Sequence, residues 1–97
     1  MNIKILPIAN EDLINGYRFY EQQQQGVGDY FLDSLFADID SLVIYHGVHP
    51  VYFHHYYRML AKRFPFAIYY TIEGDDIVIY AILDSRRNPA WIDGRLE

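Results

Sequence analysis

The sequence predicts an α+β domain: an N-terminal strand, then an antiparallel helical hairpin, then three antiparallel strands on whose sheet the hairpin packs (β-α-α-β-β-β). Three observations carry that expectation. Phe64 to Ile72 and Ile77 to Leu83 are runs rich in Ile, Val, Tyr and Phe, joined by Glu73-Gly74-Asp75-Asp76, the chemistry of a tight hairpin. Phe31, Leu32, Leu35, Ile39, Leu42 and Val43 recur at spacings of three and four, the stripe of an amphipathic helix. Gly26-Val27-Gly28 parts this helix from an earlier one, and so short a break folds two helices antiparallel.

In chain order, Asn2 to Leu6 alternates and reads as a short strand, which Pro7 stops and confines to a sheet edge. Asn10 is the expected N-cap of the first helix, with Glu11 and Asp12 in its first turn, where the helix dipole favours negative charge. Leu13, Ile14, Tyr17, Tyr20 and Gln24 then share one face, and the helix runs to about Gln25. The second helix is expected from Asp29 to about Tyr45, with Asp29, Asp33, Asp38 and Asp40 mainly off its apolar stripe. His46-Gly47-Val48-His49-Pro50 is a loop, and Val51 to Leu60 holds a strand. A single domain over residues 1–92 is expected, with 93–97 a frayed polar end.

The hairpin sets the register of the rest. A turn at Gly74-Asp75 places Ile72 opposite Ile77, Tyr70 opposite Ile79, Ile68 opposite Ala81 and Phe66 opposite Leu83. The other side pairs Thr71 with Val78, Tyr69 with Tyr80 and Ala67 with Ile82. Both faces are mostly apolar, so these strands belong in the middle of a domain or under a partner.

Composition narrows the function classes. Ninety-seven residues can bury one core without staples, and the absence of cysteine excludes disulfides and thiolate metal sites. The N-terminus is too polar for a signal peptide and no transmembrane span is present, so a cytoplasmic protein is expected. Net charge is −5, concentrated in residues 1–57, where Lys4 and Arg18 face seven acidic side chains. Such a chain is poorly suited to bulk electrostatic binding of nucleic acid. His46, His49, His54 and His55 lack metal-ligand spacing, and Ser34, Ser41 and Ser85 lack a nucleophile motif, so no cofactor or metal is expected.

The one site-like feature lies at the open end of the hairpin. Lys62-Arg63 and Arg86-Arg87 meet there, followed by Asn88-Pro89-Ala90-Trp91. Each member also has a structural reading. The cations can form a solvated rim, Arg58 can pair with Asp84 across the sheet, and Trp91 can cap the core.

FYEQQ, GVGDYFLDSL, Arg58, Arg63-Phe64-Pro65-Phe66 with Ile68-Tyr69-Tyr70, and Ser85-Arg86-Arg87 with Pro89 and Trp91 together resemble the RelE/ParE superfamily of toxins from bacterial toxin–antitoxin (plasmid stabilisation) systems. The likeness spans Leu6 to Trp91 and is nearer the ParE side. It implies a helical hairpin on an antiparallel sheet and a cognate antitoxin as partner. RelE-like toxins cut messenger RNA on the ribosome with lysines, arginines and often a C-terminal tyrosine. Here Ala67 stands where RelE proteins carry an arginine in the middle strand, and no Tyr or His follows Pro89. Arg87 matches the family's basic position after the last strand and is the one catalytic candidate the resemblance offers.

ParE-like toxins instead poison DNA gyrase by binding it. The resemblance therefore implies binding of a protein target; the contact residues expected for it are Arg58, Lys62, Arg63, Arg86, Arg87 and Trp91, of which the family match singles out Arg58 and Arg87. Ribosome-dependent RNA cleavage and a non-toxic relative that only binds antitoxin are the alternatives. The doubly apolar strands and ten tyrosines lead us to expect an antitoxin segment that folds onto exposed apolar surface, with a homodimer as the free form.

Overall fold

Pro7 both ends the first strand and begins the first helix. In the computed structural model, which describes residues 1–97, β1 (Asn2–Ile5) gives way at once to α1 (Pro7–Gln23). The helix starts three residues before Asn10, with Leu6 at the N-cap and no side-chain cap, and the Asn10 amide donates to the Leu6 carbonyl at 2.9 Å. Proline at N1 explains the early start, because it lacks the N–H that would go unpaired and its φ is already helical. The buried face is accordingly Ala9, Asp12, Leu13 and Gly16 with Tyr20 beside them, while Ile14, expected inside, is 40% exposed.

Helix α2 (Val27–Tyr45) begins two residues before the expected Asp29, because only Gly26 (φ 91°) breaks the chain. The carboxylate of Glu21 on α1 accepts from the Gly26 and Gly28 amides at 3.0–3.1 Å and so caps α2 across the helical hairpin. Gly28 is helical, and glycine is needed there for packing. A Cβ at Gly28 would stand 2.8 Å from the Tyr17 carbonyl, and one at Gly16 would stand 2.5 Å from the buried Phe31 ring.

The remaining elements are β2 (Val51–Tyr52), β3 (Tyr56–Leu60), β4 (Phe66–Glu73), β5 (Asp76–Asp84) and α3 (Pro89–Leu96). The strand expected over 51–60 is two strands, divided by a turn in which Phe53 (φ 53°) and His54 (φ 74°) are left-handed. No glycine marks that turn in the sequence. The sheet order is β1-β5-β4-β3-β2. The three pairings from β2 to β5 are antiparallel, and β1 adds in parallel to β5, with Ile3 beside Ile77 and Ile5 beside Ile79.

The β4–β5 register follows expectation from the turn through Ile72–Ile77, Thr71–Val78 and Tyr70–Ile79, and then a β-bulge passes over Tyr80. Beyond it Tyr69 faces Ala81, Ile68 faces Ile82, Ala67 faces Leu83 and Phe66 faces Asp84. The extra residue exchanges the two faces of β5. Ile82, in place of Ala81, packs with Leu13, Phe31, Leu35 and Ile39 under the helical hairpin. Ala81 and Leu83 turn to the opposite face with Ala67, Tyr69 and Tyr56.

That second face is covered by the chain's own C-terminus. Residues 93–97, expected to fray, belong largely to α3, which buries Ile92 (4% exposed) and Leu96 (2%) on Tyr56, Ala67, Tyr69, Ala81 and Leu83. Eight residues are too few for a stable isolated helix. Burying two large aliphatic side chains contributes about 1.5–3 kcal/mol each. Polar links add to it: the Tyr52 hydroxyl donates to Asp93 at 2.9 Å and the Tyr56 hydroxyl to the Leu96 carbonyl at 2.8 Å. The result is three layers, helical hairpin, sheet and α3. No helix is long and apolar enough to cross a membrane.

Two helical aspartates finish the sheet edges. Beyond the reach of β1, the Asp12 carboxylate accepts from the Ile82 amide at 3.1 Å; past the end of β3, Asp38 accepts from the Lys62 amide at 3.1 Å. Both are buried, at 8% and 4% exposure, which an unpaired carboxylate would not tolerate. Asp38 thus lies within the apolar face of α2, between Leu35 and Leu42, instead of off it.

Candidate functional site

Where β5 ends, the chain turns sharply into α3, and that corner is held by short local bonds. Ser85 donates from both its amide (2.8 Å) and its hydroxyl (3.1 Å) to the Pro65 carbonyl, which ties the RFPF segment to the SRR segment. The Arg87 amide donates to the Asp84 carbonyl at 3.2 Å. Asn88 caps α3 by accepting from the Ala90 amide at 2.8 Å, with Pro89 at the first helical position. Arg86, Arg87 and Trp91 are therefore positioned by backbone geometry.

The charges at this corner are mostly matched. Arg86 holds Asp84 with two prongs, Nε at 3.0 Å and a terminal nitrogen at 2.7 Å, and these hydrogen bonds keep the Asp84 carboxyl below the usual aspartate range. Arg95 holds Asp12 with two prongs at 2.9 Å. Arg87 has no carboxylate partner. Its guanidinium lies 3.7 Å from the centre of the Trp91 ring, while that of Arg95 lies 5.7 Å from the same ring. Between α1 and α3, Asp12, Asp84, Arg87, Trp91 and Arg95 border a cleft of about 400 Å3. Phe66, Ile82 and Leu83 form its floor, and Phe19 (52% exposed) and Trp91 (38%) stand at its walls.

The six residues expected to form one rim are not together. Arg86, Arg87 and Trp91 share the β5–α3 corner. Arg58 lies on the sheet face that α3 covers, its Nε donating to the Tyr69 hydroxyl at 3.2 Å and its guanidinium 5.6 Å from the Tyr52 ring. The alternative pairing of Arg58 with Asp84 does not occur: Arg58 lies beside Tyr69 on the face that α3 covers, whereas Asp84 lies beside Phe66 on the other face. Lys62 borders a second cleft, of about 350 Å3, with Tyr45, Val48, His49, Met59 and Leu60. Arg63 is exposed and forms no salt bridge. The strand β3 ends at Leu60, so the facing of Arg58 within it does not carry over to Lys62 and Arg63 beyond its end.

Asp12, Asn15, Phe19 and Arg95 line the cleft and were not among the expected site residues. Asp12 carried a usable signal, standing at helical spacing between buried Ala9 and Gly16, where a carboxylate demands a partner. The histidines are dispersed: His46 Nδ1 lies 3.0 Å from the Leu42 carbonyl, His49 bonds the Tyr70 hydroxyl, and His54 and His55 are exposed at the β2–β3 turn. No group of three or more His, Asp or Glu side chains is arranged to hold a metal ion.

The toxin motifs in the sequence imply a helical hairpin on an antiparallel sheet, and the structure has that hairpin on a five-stranded sheet whose β1 is parallel, with an arginine- and tryptophan-bearing corner after the last strand. Comparison with known families makes the class definite. The model of the ParE toxin of type II toxin–antitoxin system, parDE, matches residues 3–89, and the chain belongs to that family. Among solved structures it is similar to a chain described as the chromosomal ParDE TA system from P. aeruginosa. The TM-score is 0.78 at 19% identity, covering 84% of this chain and 92% of that one, a likeness of fold. No curated protein sequence matches the chain.

Proposed function

We propose that the chain is a toxin that acts by binding a protein target, DNA gyrase being the target that the superfamily resemblance suggests, and that a cognate antitoxin neutralises it in the cytoplasm. The observation that carries this reading is the state of the corner charges. RNA cleavage needs groups that activate a 2′-hydroxyl and protonate a leaving oxygen. None of the 11 residues lining the α1–α3 cleft is a His, Tyr or Lys, and both of its carboxylates, Asp12 and Asp84, are already held by arginines. What remains is a fixed cation stacked on an aromatic ring beside an apolar floor. Arginine and tryptophan over a buried floor make a contact surface.

Antitoxin binding is supported by a second surface. Ile44, Tyr45, Val48, Val51 and Leu60 are each more than half exposed around the end of α2 and the outer edge of the sheet. Along that edge the Arg58 amide donates to the Pro50 carbonyl and the Lys62 amide to Asp38, so strand alternation leaves the Leu60 amide between them pointing outward. An open amide beside apolar side chains suits an added strand or helix from a segment that folds on binding. The same patch supports a homodimer when antitoxin is absent.

Inducing the gene in a bacterial host tests the proposal. Growth arrest with DNA-damage signalling and intact polysomal messages is expected. Message cleavage on ribosomes would favour the nuclease alternative, and unimpaired growth a non-toxic relative.

A further inference from the structure

The α1–α3 cleft has a chemistry more specific than a general contact surface. Asp12 and Asp84 are neutralised by Arg95 and Arg86, each through two prongs, so the cleft is left with the single unmatched charge of Arg87. That guanidinium is held in place by the Trp91 ring, which lowers the ordering cost of using it. Below it lies the buried apolar surface of Phe66, Ile82 and Leu83, with half-exposed Phe19 opposite. Asn15 adds an amide at the rim, able to bond a peptide backbone. Trp91 and Arg95, which shape one wall, lie past residues 3–89 matched by the family model.

We infer that this cleft reads a short segment of the target protein presenting one carboxylate beside one aromatic or large aliphatic side chain. This rests on the reading of the chain as a target-binding toxin and adds the chemistry of what is bound. The carboxylate pairs with Arg87, and the apolar side chain lies on the floor between Phe19 and Trp91. About 400 Å3 accommodates two side chains. Nucleic acid fits poorly. The near face of Trp91 is taken by Arg87, and one unmatched cation cannot follow a chain of phosphates.

Trp91 is the only tryptophan, so its fluorescence reports on this cleft alone. The probes are the capped dipeptides acetyl-Phe-Asp-amide and acetyl-Phe-Asn-amide, titrated into the intact protein while Trp91 emission and backbone amide shifts are followed. The Asp peptide is expected to bind about tenfold more tightly than the Asn peptide, the worth of one charge-assisted bond. Shifts are expected at Phe19, Leu83, Arg87 and Trp91. Arg87→Gln should erase the preference, as read from the amide shifts, and Lys4→Gln, which removes the same charge elsewhere, should keep it. Equal affinity for the two peptides, shifts confined to the Tyr45–Leu60 surface, or a preference that survives Arg87→Gln would overturn the inference. If growth arrest depends on Arg87 but no Asp preference is seen, the inference fails and the toxin reading stands. If the preference is present but induction leaves growth unimpaired, the toxin reading fails and the peptide site stands.

Discussion

Asp12 and Arg95, 83 positions apart, form a two-pronged ion pair at 2.9 Å, with Asp12 8% and Arg95 24% exposed. The same Asp12 carboxylate accepts the Ile82 amide, so one side chain of α1 joins the open edge of β5 to α3. Breaking one partner of a mostly buried pair leaves the other charge uncompensated. Arg95→Ala is expected to cost about 2–3 kcal/mol, or roughly 10 °C in Tm for a domain of this size. Arg86→Ala, which opens the more exposed pair to Asp84, is expected to cost less than about 1 kcal/mol. Thermal melts of the two variants side by side check the order, and equal losses would show that α3 is held by its apolar contacts alone.

The close approach of α1 and α2 gives a second expectation. A methyl group at Gly28 meets the Tyr17 carbonyl, and backbone cannot step aside. At Gly16 it meets Phe31, which is wedged among Tyr20, Phe64 and Phe66. Gly28→Ala and Gly16→Ala should each destabilise by about 1–3 kcal/mol, although alanine favours helix. Gly94, with open space around its Cβ position, is the control, and Gly94→Ala should be neutral or slightly stabilising.

Stability should also depend on pH through His49. Its Nδ1 is hydrogen-bonded to the Tyr70 hydroxyl, which accepts from the Gly47 amide at 3.2 Å. Burial holds the His49 pKa below the ordinary 6.5. The unfolded chain therefore binds a proton first, and stability falls as pH drops below about 6.5 towards the folded value. Asp84 and Glu73, both held low by hydrogen bonds, lose their contributions only below their ordinary values of 3.8 and 4.5. Urea melts between pH 7 and pH 5 should show the His49 step in the wild type and not in His49→Gln. A step of the same size in both would assign it elsewhere.

Arg87 is exposed and makes no ion pair, so its removal should leave the fold intact. Arg87→Ala is expected to change stability by no more than about 0.5 kcal/mol while abolishing growth arrest. A large fall in Tm would make the arginine a structural support of Trp91.

The fold was legible wherever one period dominated. The α2 stripe, apart from Val43, which is 47% exposed, the Gly74 turn and the first three hairpin pairs follow from spacing. The bulge at Tyr80 was not legible, because β4 and β5 are apolar on both faces and either register buries carbon. Nor was α3, whose Asp93, Gly94 and Arg95 read as a polar end. Its signals were Asn88-Pro89, a cap followed by an N1 proline, and Ile92 and Leu96 four apart. In the candidate site, sequence motifs marked Arg86, Arg87 and Trp91. They did not reveal that Arg58 and Lys62 lie elsewhere, since β3 ends at Leu60, before Lys62, and only the assembled sheet shows which face Arg58 takes. The cover that the doubly apolar strands seemed to require from a partner is supplied in part by α3.

The account depends most on the claim that this corner grips a target and does not cut RNA. The direct measurement is the state of ribosome-bound transcripts after induction in a growing host, for the wild type and for Arg87→Ala. Intact transcripts in both, with arrest and DNA-damage signalling only in the wild type, are the predicted result. Transcripts cut within the reading frame on wild-type induction, and spared with Arg87→Ala, would contradict it.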